Sequence, residues 1–431
     1  MDKKYQDCRR MRKSSKKELP QLRFPQEKLI PWNTFTLSEI GQILGGLSGK
    51  SALDFGEGEL YVTYKQVYER GYISLNECER VVMREEEHQT KLAYGDILVT
   101  MTSETRDDIG RVSVIGTKVI PNVYLNSFCF IFRPFNVDFF SPSFAIQIFQ
   151  SVFFLRQVRL IAQGYIRVNI SKSSFANIQI SIPATDFERK QIADCLSSID
   201  EQIEKQQKTL DALRQHKQAL MQQLFPQRGE NTPILRFPKM RNRWKYSDLK
   251  KITSHCTKKN TKGEETTVLT NSAQYGVVKQ QDYFDRDIVT LSNLKNYYLV
   301  EVGDFVYNPR VSIAAPVGPV SKNNLKKGII SPLYLVFRFN DSDNDFYVYY
   351  FQSLHWQIQL KKIANSGARF DRMSISTSEF FNIQVPDLSK TESEKIASLF
   401  LSLDKLIDCQ QAKNDFLIKH KKGLMQQLFP N

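Results

Sequence analysis

A glycine-rich stretch is the first candidate for chemistry in this 431-residue chain. The string GGLSGKS (45–51) is close to the phosphate-binding consensus G-x-x-x-x-G-K-[ST], in which backbone N–H groups surround a phosphate and the lysine reaches its outer oxygens. The consensus requires glycine where Leu44 stands, and the preceding TLSEIGQIL is typical of a helix rather than a strand. We therefore interpret the stretch as a glycine-rich turn and not as a nucleotide site.

A second stretch, YNPRV (307–311), is close to the Asn-Pro-Pro-aromatic loop of amino-methyltransferases. Arg310 stands in place of the second proline of that loop. No glycine-rich cofactor loop follows a strand upstream. The stretch does not predict methyl transfer by this chain.

A third stretch, FERK (187–190), has the Glu-x-Lys spacing of many nucleases. Asp186 is too close to act as the second carboxylate, and the matching place in the second half of the chain holds Glu392, Ser393 and Glu394. We interpret FERK as the solvated first turn of a helix. Five histidines leave little for acid–base catalysis, so the sequence predicts neither a nuclease nor another catalytic centre.

The cysteines do not form a metal-binding or disulfide pattern. The six cysteines contain no C-x-x-C pair and have no histidine at ligand spacing; they are at positions 8, 78, 129, 195, 256 and 409. This usage predicts reduced thiols in a cytoplasmic protein, without a zinc site. The most apolar stretch, FAIQIFQSVFFL (144–155), is too short to span a bilayer and predicts a buried helix.

The charge balance points to a polyanionic partner. The chain has 60 Lys and Arg against 46 Asp and Glu, a net charge of +14, and a pI of about 9.3. Residues 1–28 hold ten Lys or Arg against four Asp or Glu, so part of this charge is local. We predict a basic, disordered arm over residues 1–30. The excess in the rest of the chain suits nucleic acid but does not prove it.

Two segments of the chain repeat each other, and both end in LMQQLFP. Residues 192–226 align without a gap on residues 396–430, at an offset of 204 (396 minus 192). Within each copy, apolar residues recur at alternating steps of four and three, the heptad spacing of a coiled coil. Both copies place Gln and Lys at the same two seam positions, and a proline stops both helices. We predict that the two helices pair.

The apolar seam is defined by the heptad positions of both copies. Its residues are Ile192, Leu196, Ile199, Ile203, Leu210, Leu213, Leu220, Leu224, Ile396, Phe400, Leu403, Ile407, Leu417, Leu424 and Leu428.

The duplication extends into the regions before the helices. The string LRFP, followed by a tryptophan, occurs at 22–25 and at 235–238. A Gly-Asp pair precedes a strand-like run in both halves, and AQGYIRVNISKSSFANIQISIP (162–183) matches ANSGARFDRMSISTSEFFNIQVP (364–386) in character. Residues 45–90 have no clear counterpart in 255–300. Each half is therefore predicted to be a mixed globule of helices and strands followed by a long helix.

These repeated features together resemble the specificity subunits of type I restriction–modification systems, the HsdS family. The resemblance rests on the duplicated heptad helices, the LRFP and tryptophan of each half, and the GYIRVNIS and SGARFDRMSIS segments. It implies an α+β fold with two similar target-recognition globules, separated by an antiparallel two-helix coiled coil with pseudo-twofold repetition. The implied boundaries are 31–183 and 231–386 for the globules, and 184–230 and 387–431 for the spacer helices and linker.

The resemblance also implies the function and the partners. The chain would read a split site on double-stranded DNA, one half per globule, without catalytic activity of its own. It would position two methyltransferase subunits and, where present, two restriction–translocase subunits, in the cytoplasm of a prokaryote. This chain would bind no cofactor; the partner subunits would use S-adenosylmethionine, ATP and Mg²⁺.

Candidate DNA contacts are Arg, Lys and small polar residues in the loops after the Gly-Asp strands and in the GYIRVNIS and SGARFDRMSIS segments. Such side chains bind phosphates or base edges. The candidates are Lys50, Ser103, Thr105, Arg106, Arg111, Arg167, Asn169, Lys172, Asn271, Lys279, Asn308, Arg310, Ser312, Arg369 and Arg372. For any single residue, a solvated charge remains an equal interpretation.

Two alternative functions stay open at this stage. One is a standalone, duplicated DNA nuclease or methylase, which would act on DNA without partners. The other is a coiled-coil adaptor that does not bind DNA. The bases recognised and the role of the arm cannot be derived from the sequence.

Overall fold

The computed structural model describes residues 19–25, 30–69, 71–117, 122–226, 230–283, 291–363 and 372–430. The described residues form two compact units, and each unit includes part of both long helices. Unit 1 extends to Gln207 and also contains the residues from Ala412 onward, whereas unit 2 comprises Lys208–Gln411. The sequence-based boundaries at 30, 183, 230 and 386 stay predictions.

Unit 1 consists of short strands, short helices and parts of two long helices. Its strands are β1 (Asn33–Thr36), β2 (Gly41–Gly45), β3 (Phe55–Val62), β4 (Glu79–Val81), β5 (Ile97–Thr100), β6 (Thr102–Ser103), β7 (Val112–Val114), β8 (Val123–Leu125), β9 (Cys129–Pro134), β10 (Val168–Asn169) and β11 (Gln179–Ile182). Its short helices are α1 (Leu37–Ile40), α2 (Tyr64–Glu69), α3 (Pro142–Phe149), α4 (Val152–Ile161) and α5 (Lys172–Ala176). The first long helix, α6 (Asp186–Leu224), begins in this unit.

Unit 2 has the same kind of composition. Its strands are β12 (Lys245–Asp248), β13 (Thr253–His255), β14 (Leu269–Ser272), β15 (Gly276–Lys279), β16 (Tyr298–Val300), β17 (Phe305–Tyr307), β18 (Val320–Lys322), β19 (Gly328–Ile330), β20 (Leu335–Phe339) and β21 (Gln384–Asp387). Its helices are α7 (Leu249–Ile252), α8 (Gln280–Tyr283), α9 (Asp345–Tyr350), α10 (Leu354–Ile363) and α11 (Thr377–Phe381), followed by the start of the second long helix, α12 (Lys390–Leu428).

The central sheets of the two units have corresponding strand orders. Four antiparallel strands run β2-β9-β5-β7 in unit 1 and β13-β20-β17-β18 in unit 2. In each unit, the strand that precedes this sheet pairs with the strand that leads to a long helix, as β1 with β11 and β12 with β21. The α+β class and the two globules are thus as predicted from the sequence.

The remaining strands differ between the units. Unit 1 adds a three-stranded sheet, β4-β3-β8, and the short pair β10-β6. Unit 2 adds the pairs β14-β15 and β16-β19. Part of this difference falls in residues 45–90 and 255–300, for which the sequence shows no correspondence, because these regions contain β3 and β4 in unit 1 and β14, β15 and β16 in unit 2.

A buried aspartate explains the Gly-Asp pair before β5. Gly95 has a φ of 84°, a left-handed conformation that favours glycine. The Asp96 carboxylate is fully buried, accepts the Ala93 N–H at 2.7 Å, and accepts the Arg133 Nε and Nη2 hydrogens, each at 2.7 Å. This hydrogen bonding raises the pKa of Arg133. We call this arrangement the Asp–Arg clasp of unit 1.

Unit 2 has the equivalent clasp before β17. Gly303 has a φ of 92°, and the buried Asp304 carboxylate accepts the Glu301 N–H at 2.8 Å. Arg338, on the neighbouring strand β20, donates to Asp304 from Nε at 2.6 Å and from Nη2 at 3.1 Å. The repeated Gly-Asp pair therefore fixes the start of a central strand to the strand beside it.

The repeated LMQQLFP strings anchor the ends of the long helices in the cores of the units. In unit 1, Leu428 and Phe429 belong to the buried core, and the Phe429 ring meets the Trp32 ring edge-on at 6.3 Å. In unit 2, Phe225 is fully buried and meets Trp244 edge-on at 6.1 Å. Each tryptophan after LRFP therefore packs against the phenylalanine of an LMQQLFP string.

The LRFP segments are held by buried ion pairs. Arg23 donates to Glu188 from Nε at 2.8 Å and from Nη2 at 2.7 Å. Arg236 donates to Glu392 in the same two-point manner at 2.9 and 2.8 Å. Both carboxylates lie on the first turn of a long helix and are buried. The interpretation of FERK as a solvated turn is therefore wrong for Glu188. This carboxylate is buried and paired with Arg23, which lies far away in the sequence.

The predicted seam residues lie on the protected faces of α6 and α12. Every one of them is buried or half-buried, whereas most of their helix neighbours are exposed. Both helices end two residues before their proline. This is expected, because a proline disfavours the helical conformation of the residue that precedes it.

Polar seam residues join the two helices within each unit. In unit 1, Lys421 donates to Asp200 at 2.6 Å and Asn414 donates to Gln207 at 3.0 Å. In unit 2, Lys217 donates to Asp404 at 2.5 Å. Within unit 1, residue numbers rise along α6 as they fall along α12, so these segments run antiparallel.

The apolar stretch 144–155 forms two helices, not the one predicted. Helix α3 ends at Phe149, and the Ser151 hydroxyl accepts the Phe154 N–H and thereby starts α4. No single helix among the described residues is long and apolar enough to cross a membrane. By length and composition alone, α3 and α4 together would qualify, with a bend of 60° at the break.

Candidate nucleic-acid interface

Three of the predicted DNA contacts of unit 1 lie in the loop between β6 and β7, and a fourth, Ser103, lies just before this loop at the end of β6. Thr105, Arg106 and Arg111 are exposed. Arg111 pairs with Asp108 at 3.0 Å and lies over the Tyr68 ring at 5.3 Å from its centroid. Hydrogen bonds from Thr105, Arg111 and Tyr68 lower the pKa of Asp108.

Ser103, the fourth residue, is buried in the structure. Its hydroxyl accepts the Thr105 N–H at 3.3 Å and shapes the loop. The prediction that Ser103 contacts DNA from the surface is therefore wrong, because its side chain is buried. Arg106 extends along the surface, where its Nη1 donates to the Arg159 carbonyl at 3.4 Å.

The GYIRVNIS segment lies directly beside this loop. Strand β10 pairs antiparallel with β6, with Val168 opposite Ser103 and Asn169 opposite Thr102. Arg167, Asn169 and Lys172 are all exposed. Two loops that are more than fifty residues apart in sequence thus present their basic and polar side chains together.

Lys50 is engaged within the protein. Its side chain is only 4% exposed, and its ammonium group donates to the Val82 carbonyl at 2.5 Å and pairs with Glu87. This ion pair lowers the pKa of Glu87. Lys50 therefore stabilises the glycine-rich turn. The prediction that Lys50 contacts DNA is wrong, because its ammonium group is engaged within the protein.

Two predicted contacts in unit 2 are interior residues. Asn271 is 1% exposed and donates its amide to the Val306 and Pro319 carbonyls at 2.7 and 3.1 Å. Asn308 is also buried and donates to the Asn271 carbonyl at 2.9 Å. These amides satisfy backbone groups around the end of β17, so they support the following loop instead of facing a ligand.

The loop after β17 exposes the remaining candidates of unit 2. Arg310 and Ser312 are exposed, and the Arg310 N–H donates to the Asn308 side chain at 3.0 Å. An isolated antiparallel bridge places the backbones of Arg310 and Arg372 side by side. Lys279, at the end of β15, is also exposed. Arg369 lies outside the described residues.

The clasps were missed as site-supporting residues. Asp96 and Asp304 fix the strands whose far ends lead into the two contact loops. A signal existed in the sequence, because an arginine follows each Gly-Asp pair at nearly the same interval, Arg133 and Arg338.

The fold defines a class of protein with two α+β units, each of which includes part of both long helices. Within the described part of the chain, no group of three or more His, Cys, Asp or Glu side chains is placed to hold a metal ion. Five of the exposed candidates lie in loops beyond the central strands β5 and β17, where sequence can vary without disturbing the sheet: Thr105, Arg106, Arg111, Arg310 and Ser312.

Comparisons with known proteins agree with this class. A family model described as the type I restriction modification DNA specificity domain matches residues 30–215. The putative type I restriction enzyme MjaX specificity subunit of Methanocaldococcus jannaschii is 23% identical over 361 residues, which cover 80% of each protein. The MjaVIII specificity subunit of the same organism is 24% identical over 274 residues, 60% of this chain and 63% of that protein.

Solved structures show the same fold. The S subunit of a type I restriction–modification system from M. genitalium superimposes with a TM-score of 0.57 at 14% identity, covering 96% of this chain and 99% of that one. A chain from a study of the complex assembly and conformational transition of the type I system gives 0.56 at 15% identity, covering 93% and 99%. The family model thus covers residues 30–215, and over most of its length the chain is similar in sequence and fold to type I restriction–modification specificity subunits.

Proposed function

We propose that this chain is the non-catalytic DNA-recognition subunit of a type I restriction–modification complex. Unit 1 reads one half of a split DNA site and unit 2 reads the other half. The observation that carries this proposal is the repeated placement of exposed arginines in the loop after the central strand, Arg106 and Arg111 in unit 1 and Arg310 in unit 2.

The chemistry of these loops suits duplex DNA. Arginine binds phosphates and forms paired hydrogen bonds with guanine in the major groove, and short polar side chains such as Thr105 and Ser312 bind base edges or phosphates. Arg167 and Lys172 add further exposed cations beside the unit 1 loop. The two loops differ in sequence while the sheets behind them correspond, which supports different targets for the two units.

The long helices are the proposed platform for partner subunits. Because α6 and α12 repeat the same heptad pattern, they offer two similar outer surfaces, and two similar surfaces suit two copies of one partner. We propose two methyltransferase subunits in these places, joined by restriction–translocase subunits where the host encodes them. S-adenosylmethionine, ATP and Mg²⁺ would then be bound by the partners.

Genome-wide mapping of methylated adenines tests the recognition role. The host with the intact chain, a deletion strain, and strains with Arg106→Ala plus Arg111→Ala or with Arg310→Ala would be compared. We expect the deletion to erase methylation at one split motif and each arginine variant to reduce it. Lys245→Ala is the matched control, since this exposed lysine lies on β12, beside the start of α12.

Binding measured against salt distinguishes DNA contact from a scaffold role. Each phosphate contact that is lost should lower the slope of log K against log salt by about one. Unchanged methylation after deletion, or salt-independent failure of the assembled complex to bind duplex DNA, would contradict the proposal. Cleavage or methylation by the purified chain alone would favour an enzyme instead.

The partner stoichiometry has a separate test. Native mass measurement of the complex at excess methyltransferase should give two methyltransferase subunits per chain. A stable complex with only one would show that the two helix surfaces are not equivalent docking sites.

A further inference from the structure

Unit 1 exposes two adjacent apolar side chains at the tip of the GYIRVNIS segment. Tyr165 is 99% exposed and Ile166 is 87% exposed. Single exposed apolar residues are common on protein surfaces and need no explanation. Two consecutive large apolar side chains that are almost fully exposed are less common, and they suit a contact surface.

Two backbone hydrogen bonds and a tight glycine turn shape the tip. Gln163 and Asn169 exchange both backbone hydrogen bonds, at 2.9 and 2.8 Å, which closes a short hairpin. Gly164 has a φ of 108°, and a Cβ added there would lie 2.1 Å from the Arg167 carbonyl oxygen. The turn is therefore tight and requires glycine just before the apolar pair.

The base of the hairpin is fixed in the protein core. Val168 and Ile170 are buried at 2% and 1% exposure, and the Ile170 N–H donates to the Met101 carbonyl at 2.9 Å. The tip is therefore fixed by two buried residues that follow it, Val168 and Ile170, and by the pairing of β10 with β6. Rigid presentation reduces the entropy that the tip would lose on binding.

The surroundings of the tip are basic as well as apolar. Arg167 follows the pair directly and is exposed, and Arg106 reaches the Arg159 carbonyl on α4, the helix that leads into the hairpin. Leu160, on the same helix, is 76% exposed. Acidic groups are also present, since Asp107 pairs with Arg159 at 3.4 Å. An apolar tip beside exposed arginines suits a partner that has stacked aromatic rings and negatively charged groups along its surface.

We propose that Tyr165 and Ile166 form a wedge that inserts between neighbouring base pairs of the DNA half-site bound by unit 1. This inference rests on the proposed DNA-recognition function. The Tyr165 ring stacks on a base and Ile166 fills the opened step, while Arg167 binds the adjacent phosphate. Apolar side chains inserted in this way unstack a base step and bend the duplex, which is easiest at flexible pyrimidine–purine steps.

The wedge gives unit 1 a means of selecting sequence without hydrogen bonds to the bases. The energy needed to open a step depends on the two base pairs that form it, so a wedge favours sites with an easily opened step at one position. Recognition at that position should tolerate several bases but discriminate against stiff steps.

The test uses 2-aminopurine, whose fluorescence rises when it is unstacked, in the full complex with the methyltransferase. The probe is a duplex that carries the site found by methylation mapping, with 2-aminopurine placed singly along the unit 1 half-site. We expect one step to give a rise of about twofold or more, away from the methylated adenine, because a methyltransferase itself flips the base it modifies.

The variant Tyr165→Ala plus Ile166→Ser should abolish that rise and weaken binding about 10- to 100-fold, the effect of losing one or two stacking contacts. Because both side chains are solvent-exposed, the fold should be unaffected. Arg167→Ala should weaken binding and lower the salt slope while keeping the fluorescence rise. Phe135→Ser is the matched control: Phe135 is 65% exposed and follows Pro134, at the far end of β9 from the contact loops. It should bind like wild type.

Specific outcomes would overturn the wedge. Wild-type affinity in the double variant, or an unchanged fluorescence rise, would show that the tip does not enter the duplex. Loss of methyltransferase binding with DNA affinity retained would make the tip a protein contact. If the wild-type complex shows no site-specific DNA binding, the proposed function fails first and the wedge falls with it.

Discussion

Replacing Glu392 by alanine should destabilise unit 2 more than replacing Glu188 destabilises unit 1. Both carboxylates hold a buried arginine, but Glu392 also accepts the Trp244 Nε1 hydrogen at 3.1 Å. The equivalent Trp32 Nε1 finds no acceptor among the described residues. The two halves therefore offer a built-in comparison of one additional hydrogen bond.

The size of the effect follows from burial. The side chains of Arg236 and Glu392 are 12% and 6% exposed, and removing one partner of such a pair costs about 3–5 kcal/mol. Leaving a buried indole N–H without a partner costs about 1–3 kcal/mol more. The Arg23 and Glu188 pair, at 6% and 1% exposure, carries only the first cost. We expect Glu392→Ala to exceed Glu188→Ala by about 1–3 kcal/mol.

Hydrogen exchange measured by mass spectrometry on the full chain resolves the two units separately, because local opening is read peptide by peptide. Peptides around Trp244 and Trp32 would report the free energy of opening in each variant. Glu392→Gln is the informative control, since its amide oxygen still accepts the indole hydrogen and should recover part of the loss. Equal losses in the two alanine variants, or no benefit from glutamine, would refute the assignment of the extra bond.

Three further predictions concern the seam, the modularity and the clasp. Replacing Ile203 and Ile407 together by aspartate should separate the helices and uncouple or abolish split-site recognition; unchanged methylation of the split site would mean that the seam does not matter. Exchanging residues 33–183 for the first globule of another family member should alter one half-site only, and methylation mapping that finds both halves altered would exclude divided recognition. Asp96→Asn should lower the thermal midpoint by several degrees, because Arg133 loses its charged partner; an unchanged midpoint would contradict the structural role of the clasp.

The long helices were the most predictable part of the chain. Their heptad pattern is local, so the seam residues of α6, from Ile192 to Leu224, could be assigned to a protected face without knowledge of what covers that face. The corresponding sheets were expected only as two similar globules. Their strand order depends on pairings between distant segments, such as β2 with β9, that no local pattern specifies.

The contact loops show the limit of residue type as a guide. Asn271 and Arg310 have equally suitable side chains for DNA, yet one is buried against backbone carbonyls and the other is exposed. Burial is decided by tertiary packing, which the sequence around each residue does not reveal. Glu188 was misjudged for the same reason, because its arginine partner lies 165 positions away.

The Asp–Arg clasps have a consequence for how this protein can diversify. Each clasp lies at one end of a central strand, and the proposed contact loop leaves from the other end, so changes in the loop do not reach the buried ion pair. Lengthening a surface loop twofold costs only about 0.6 kcal/mol of closure entropy. A lineage could therefore exchange, extend or shorten these loops through many generations, acquiring new targets while the strands that carry them remain folded.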